Sequence, residues 1–181
     1  MKILALSGSL RAASYNTAML EAMKKLAPET IEINVYKKLD NLPLFNPDLN
    51  EDETASYQDL KQCLAESQGL IIASPEYAHG ISGVLKNALD WLVAGEEFVD
   101  MPLALLNASP RASHAQAALR EVVTTMSGCI VDEACVSVPL LGSALDKNGM
   151  LQNKEISALL TLSLNEFYLA ITKRGCYGGN H

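Results

Sequence analysis

Short apolar runs and helix-spaced apolar stretches take turns along this chain, and that rhythm limits the fold more than any other feature. Residues 2–6 form a short continuous run. Met19, Ala22, Met23 and Leu26 then recur at helical spacing, and Ile31, Ile33 and Val35 alternate with Glu32 and Asn34. Tyr57, Leu60 and Leu64 are helical, residues 70–73 continuous, and Leu85, Ala88, Leu89 and Leu92 helical again. Residues 103–106 make a fourth strand, and Ala115, Ala118, Leu119, Val122 and Met126 another helix. Residues 130–138 read as a fifth strand, and Ile156, Leu159, Leu160, Ser163, Phe167 and Ile171 as a last helix. Strand and helix alternating five times call for a parallel sheet with helices on both faces, an α/β three-layer sandwich.

Strand chemistry orders that sheet. A strand apolar throughout must be buried on both faces, so the first, third and fourth belong at the centre. The second alternates strictly, as a half-exposed edge does, and the fifth carries Asp132 and Glu133. A five-stranded parallel sheet in the flavodoxin-like order 2-1-3-4-5 satisfies these conditions. It switches direction between strands 1 and 3, and ligands bind there, outside the carboxyl ends of the strands. With 181 residues, 49% of them hydrophobic, residues 1–174 suffice for a single domain, and the Gly-rich residues 175–181 read as a flexible tail. Residues 40–52, with Pro43 and Pro47, form the longest irregular connection.

A net charge of −7 without a Lys/Arg cluster argues against nucleic acid and anionic membrane surfaces as partners. No apolar run approaches the ~20 residues of a membrane span, and the opening apolar run stops at Ser7-Gly8, short of a signal core. Cys63, Cys129, Cys135 and Cys176 form no C-x-x-C pair and read as small hydrophobes in a reducing, cytoplasmic setting. His79, His114 and His181 lack zinc-like spacing, so no metal site is expected.

The two loops at the switch point carry the chemistry. Residues 7–17 join the first strand to the first helix with hydroxyls (Ser7, Ser9, Ser14, Thr17), one amide (Asn16), one guanidinium (Arg11) and a single glycine, Gly8. They match neither G-x-G-x-x-G nor a Walker loop. Hydroxyls, a helix N-terminus and an arginine suit a doubly charged terminal phosphate. The plainer reading is that Ser14 or Asn16 only caps the helix. After the third strand, Pro75 and two glycines, Gly80 and Gly83, set an unusual backbone path. Its peptide groups could read the edge of a planar heterocycle with Tyr77 beside it, or the path is a plain turn with Ser82 as N-cap. Trp91 suits a core or a subunit contact, and His79 an exposed loop position or, less simply, a cofactor-edge contact or proton donor.

Three stretches resemble one family. They are Gly8-Ser9-Leu10-Arg11 with Ser14 and Asn16, then Pro75-Glu76-Tyr77 with Gly83 and residues 85–91 (LKNALDW), and residues 42–46 (LPLFN) with Asp48. In order and spacing they resemble the NAD(P)H-dependent FMN reductases, the flavodoxin-like group that includes quinone, azo-dye and chromate reductases. The resemblance implies bound FMN, with NADPH or NADH as co-substrate. Ser9, Arg11, Ser14 and Asn16 would hold the FMN phosphate, with Tyr15 also among the cofactor-binding residues. Pro75, Glu76, Tyr77 and Ala78 would border the isoalloxazine ring largely through backbone, and Ser109 would complete the pocket. No side chain is assigned a catalytic role, because the cofactor carries the hydride. The acceptor would be a quinone, an azo compound, a free flavin or a similar small molecule, and the assembly a homodimer or homotetramer. The alternative is a non-enzymatic flavodoxin-like electron carrier for a protein partner. Two departures from the family accompany the match. Ala78 stands where many members have Asn, and residues 110–114 (PRASH) replace a Gly-rich stretch. Arg111 there would contact a pyridine nucleotide phosphate or simply be an exposed helix-start residue.

Overall fold

The computed structural model of the chain describes residues 1–50, 52 and 54–177. In order the elements are β1 (Lys2–Ser7), α1 (Tyr15–Leu26), β2 (Glu32–Tyr36), α2 (Ala55–Ala65), β3 (Gly69–Ala73), β4 (Glu76–Tyr77), β5 (Gly80–Ile81), α3 (Gly83–Leu92), β6 (Pro102–Asn107), α4 (Ser113–Thr125), β7 (Cys129–Ile130), β8 (Val136–Ser137), α5 (Lys147–Gln152) and α6 (Lys154–Tyr177). The main sheet is parallel, in the order β2-β1-β3-β6-β7, and β8 also pairs with β6. This is the flavodoxin-like order that the strand chemistry demands. β4 and β5 form a separate antiparallel hairpin.

The period of two along each central strand sorts its side chains between the two helical layers. Ile3, Ala5, Ile71, Ala73, Ala104 and Leu106 pack against Met19, Leu20 and Met23 of α1 and Leu160, Leu164 and Phe167 of α6. Leu4, Leu6, Leu70, Ile72, Leu103 and Leu105 face Leu60 of α2, Leu85 and Leu89 of α3, and Leu119 and Val123 of α4. Truncating one such leucine to alanine costs about 2–5 kcal/mol, a large share of the 5–15 kcal/mol typical of a domain. The strands are therefore a fixed frame, and chemistry is left to the loops at their ends.

The fifth strand is interrupted. Neighbouring residues of an extended strand point to opposite faces, so Asp132 and Glu133 could not both reach water from one. The chain makes a 3-10 turn over Asp132–Ala134 instead, which exposes both carboxylates and sends Ala134 into the core. Leu105 N–H donates to the Cys135 thiol at 3.3 Å, and Asp132 pairs with Arg120 at 2.7 Å.

At the other edge, the Tyr36 hydroxyl donates to Asp59 Oδ2 at 2.8 Å, and Lys38 pairs with the same carboxylate at 3.1 Å. Burial pushes the Tyr36 hydroxyl above its ordinary pKa, and the Asp59 carboxylate pushes it further. Trp91 is fully buried and donates from Nε1 to Pro43 O, a carbonyl that Asn87 Nδ2 shares at 2.9 Å. That places Trp91 in the core and explains why residues 42–46 and the α3 motif occur together. α6 runs on to Tyr177, past residue 174, and residues 178–181 lie outside the described residues. Among the described residues no helix is long and apolar enough to cross a membrane.

Candidate active site

β1 ends against its neighbour. Gly8 N–H continues the ladder to Ala73 O at 2.8 Å, and a Cβ on Gly8 would lie 3.0–3.2 Å from Ser82 Oγ, Pro75 Cδ and Ser74 Oγ. Glycine thus lets the first loop pass against the third. The Ser7 hydroxyl bonds Thr17 Oγ1 at 2.8 Å, and Arg11 N–H donates to Ser9 Oγ at 3.4 Å. Ser14 caps α1 by accepting from Thr17 N at 3.2 Å, while Ala18 N–H makes the first helical bond to Ser14 O. The capping reading of Ser14 is therefore correct, and it is compatible with a ligand. The N–H groups of Tyr15 and Asn16 precede the first helical bond and are left for an anion. Asn16 is buried with its amide oxygen unpaired. Turning that amide over would place two N–H donors there.

The third loop is a hairpin rather than a plain turn. Ala78 and His79 occupy the left-handed region, with φ of 48° and 61°, as a two-residue hairpin turn requires. Non-glycine residues resist that conformation by about 1–2 kcal/mol each, so the hairpin needs anchors. Glu76 Oε2 accepts from Ala115 N at 2.9 Å in the first turn of α4, and the His79 ring stacks on His114 at 4.3 Å. Ser82 caps α3 by accepting from Leu85 N.

After β6, Asn107 organises the next loop from within. Its Oδ1 accepts from Ser109 N at 2.9 Å and its Nδ2 donates to Ala112 O at 3.2 Å. Arg111 N–H bonds Ser109 Oγ at 3.3 Å, and the Arg111 side chain is exposed. Tyr15 reaches the far side, where its hydroxyl accepts from Ala144 N at 3.1 Å and steadies the segment that carries Leu141.

These loops enclose a crevice of about 290 Å³ at the carboxyl ends of β1, β3 and β6. Nine of the ten residues expected from sequence line it: Ser9, Arg11, Ser14, Tyr15, Asn16, Pro75, Glu76, Tyr77 and Ser109. Ala78 stands at the hairpin tip and is not among the lining residues. The structure adds Ser74, Asn107, Arg111 and Leu141. Asn107 had a sequence signal, an asparagine between an apolar strand and Ser-Pro, where Asx side chains organise turns. Leu141 had none. A larger hollow of about 530 Å³ lies between α1 and residues 144–147. Its polar groups serve the fold: Glu21 pairs with Lys37 at 2.7 Å, and Asp146 caps Gly149 N at 2.8 Å. The crevice, with its hydroxyls, two guanidiniums and helix N-terminus, is the better receptor for an anionic ligand. Hydroxyl and amide donors at one end and the Pro75–Tyr77 backbone beside them fit a phosphate ester attached to a planar ring.

The comparisons agree with this chemistry. The sequence profile of "NADPH-dependent FMN reductase" matches residues 1–140. Quinone reductase of Escherichia coli is 33% identical over 106 residues, covering 58% of this chain and 55% of the relative; the match thus spans about half the length of that protein. An NAD(P)H-dependent FMN reductase of Pseudomonas aeruginosa is 28% identical over 179 residues, covering 96% of both chains. The solved flavoenzyme NAD(P)H:(acceptor) oxidoreductase of Paracoccus denitrificans superposes with a TM-score of 0.80 at 25% identity, covering 95% of this chain and 97% of its own.

Proposed function

This chain belongs to the NADPH-dependent FMN reductase family, and on that premise we propose that it binds FMN in the crevice and passes two electrons from NADH or NADPH to a quinone, azo compound, free flavin or similar small acceptor. The observation that carries the reading is the convergence of three loops from β1, β3 and β6 on one crevice with a phosphate-type donor set at its β1 end.

FMN, when bound here, would supply two-electron hydride-transfer chemistry. The protein's part is binding and orientation. Arg11, the Ser9 and Ser14 hydroxyls, the Asn16 amide and the opening N–H groups of α1 would hold the phosphate. The Pro75–Tyr77 backbone and Ser109 would border the ring, with the half-exposed Tyr77 beside it. Glu76 and His79 fix the hairpin through α4. No side chain needs to act as general base. The reading includes small-molecule rather than protein acceptors, a cytoplasmic location and a homodimer or homotetramer.

The test is an absorbance spectrum of the purified chain with added FMN, followed by NADH and NADPH oxidation with a quinone. Turnover is expected, whereas an electron carrier would leave the nicotinamide absorbance unchanged. A charge-assisted bond contributes roughly 1.5–3 kcal/mol, so Arg11→Ala should weaken FMN binding about tenfold to hundredfold in a fluorescence titration. Parent-like affinity in that variant would overturn the phosphate assignment.

A further inference from the structure

The chain carries a net charge of −7, and six of its cations pair with carboxylates. Lys2, Lys37, Lys38, Lys61, Lys86 and Arg120 each lie within 3.6 Å of a carboxylate. Among the described residues neither Arg11 nor Arg111 has such a partner, and both line the crevice. The acid that lines it with them, Glu76, accepts instead from the first turn of α4. The site thus presents two guanidiniums with no internal counter-charge.

They enter the crevice from different flanks. Arg11 leaves the end of β1 and Arg111 the end of β6, with β3 between them. Two strand spacings set the bases of these loops about 10 Å apart, so the two side chains are rooted on opposite sides of β3. The backbone at Arg111 is held by Asn107 and Ser109 while its side chain is exposed at the rim. A fixed root and a free guanidinium suit a ligand that must arrive and leave in each cycle.

We propose that Arg111 binds the phosphate groups of the reduced nicotinamide nucleotide and sets the preference for a phosphate-bearing hydride donor. This rests on the reading of the crevice as a flavin site. Arg11 anchors the resident cofactor at the β1 flank, and Arg111 receives the visiting dinucleotide at the β6 flank, where its nicotinamide can face the ring. Arginine's planar fork makes paired bonds to phosphate that lysine cannot reproduce.

The experiment uses the FMN-loaded full chain and three donors: NADPH, NADH and the phosphate-free 1-benzyl-1,4-dihydronicotinamide. For Arg111→Gln the ratio of kcat/KM with NADPH to that with the phosphate-free donor should fall about tenfold to hundredfold, mainly through KM. Arg111→Lys should recover part of that ratio, and FMN affinity should stay at the parent value. An unchanged ratio, equal slowing of all three donors, or a loss of FMN affinity like that of Arg11→Ala would each overturn the assignment. Parent protein that reduces its acceptor with the phosphate-free donor shows the flavin site intact, so the Arg111 result is then read on its own. Parent protein that takes up no FMN refutes the underlying reading and this inference with it.

Discussion

Glu76 lies in a loop that sequence alone associates with the ring, yet its carboxylate accepts a hydrogen bond from Ala115 N at 2.9 Å, in the first turn of α4. A carboxylate bonded to a helix N-terminus contributes roughly 1.5–3 kcal/mol, and leaving a half-buried N–H unpaired costs a similar amount. With a urea slope of about 2 kcal/mol/M, Glu76→Ala should lower the unfolding midpoint by about 1 M. Glu76→Gln keeps an acceptor without the charge, and a neutral bond contributes roughly 0.5–1.5 kcal/mol, so its midpoint should fall about half as far. Far-UV circular dichroism across a urea series measures both. FMN affinity should fall in the same order, because the hairpin it anchors forms one wall of the crevice. Two results would refute the reasoning: an alanine variant within about 0.2 M of the parent, or a glutamine variant as unstable as alanine.

Two further perturbations probe the frame around the site. Because burial raises the Tyr36 pKa, the folded chain keeps a proton that the unfolded chain releases, and stability should decline as pH rises past about 10. Tyr36→Phe should melt below the parent at pH 8 and converge on it above pH ~10; parallel melting curves would contradict the assignment. Asn107→Ala leaves Ser109 N and Ala112 O without their bonds, a loss of about 2–4 kcal/mol, which corresponds to roughly 4–16 °C in melting temperature for a chain of this size. Calorimetry showing no shift would mean that the loop holds its shape without that side chain.

The central strands, the helices that cover them and the location of the crevice were legible because a period of two or 3.6 is repeated over many residues. Features that depend on one or two residues were not. The hairpin strands are two residues each, too short to show a period, and their Ala78-His79 turn lacks the Asn-Gly signature of its type. The contact between His79 and His114 joins residues that are remote in sequence, and no local pattern announces it. The break in the fifth strand was readable in principle, since Asp132 and Glu133 are adjacent in an otherwise apolar run. α5 left a faint sign, an aspartate three residues before Gly149. On the site, polar types at a helix start were informative, while Leu141 enters only because the chain folds back through Tyr15 and Ala144.

The interrupted fifth strand also governs how this sheet meets other sheets. A parallel sheet that ended in a long straight border would offer a row of unsatisfied peptide groups to any passing extended chain. Here that border is two dipeptides with a tight, doubly negative bend between them, and the opposite border projects Glu32 and Asn34. Charged and polar side chains on one margin and a broken strand on the other thus blunt the edges on which edge-to-edge stacks would grow.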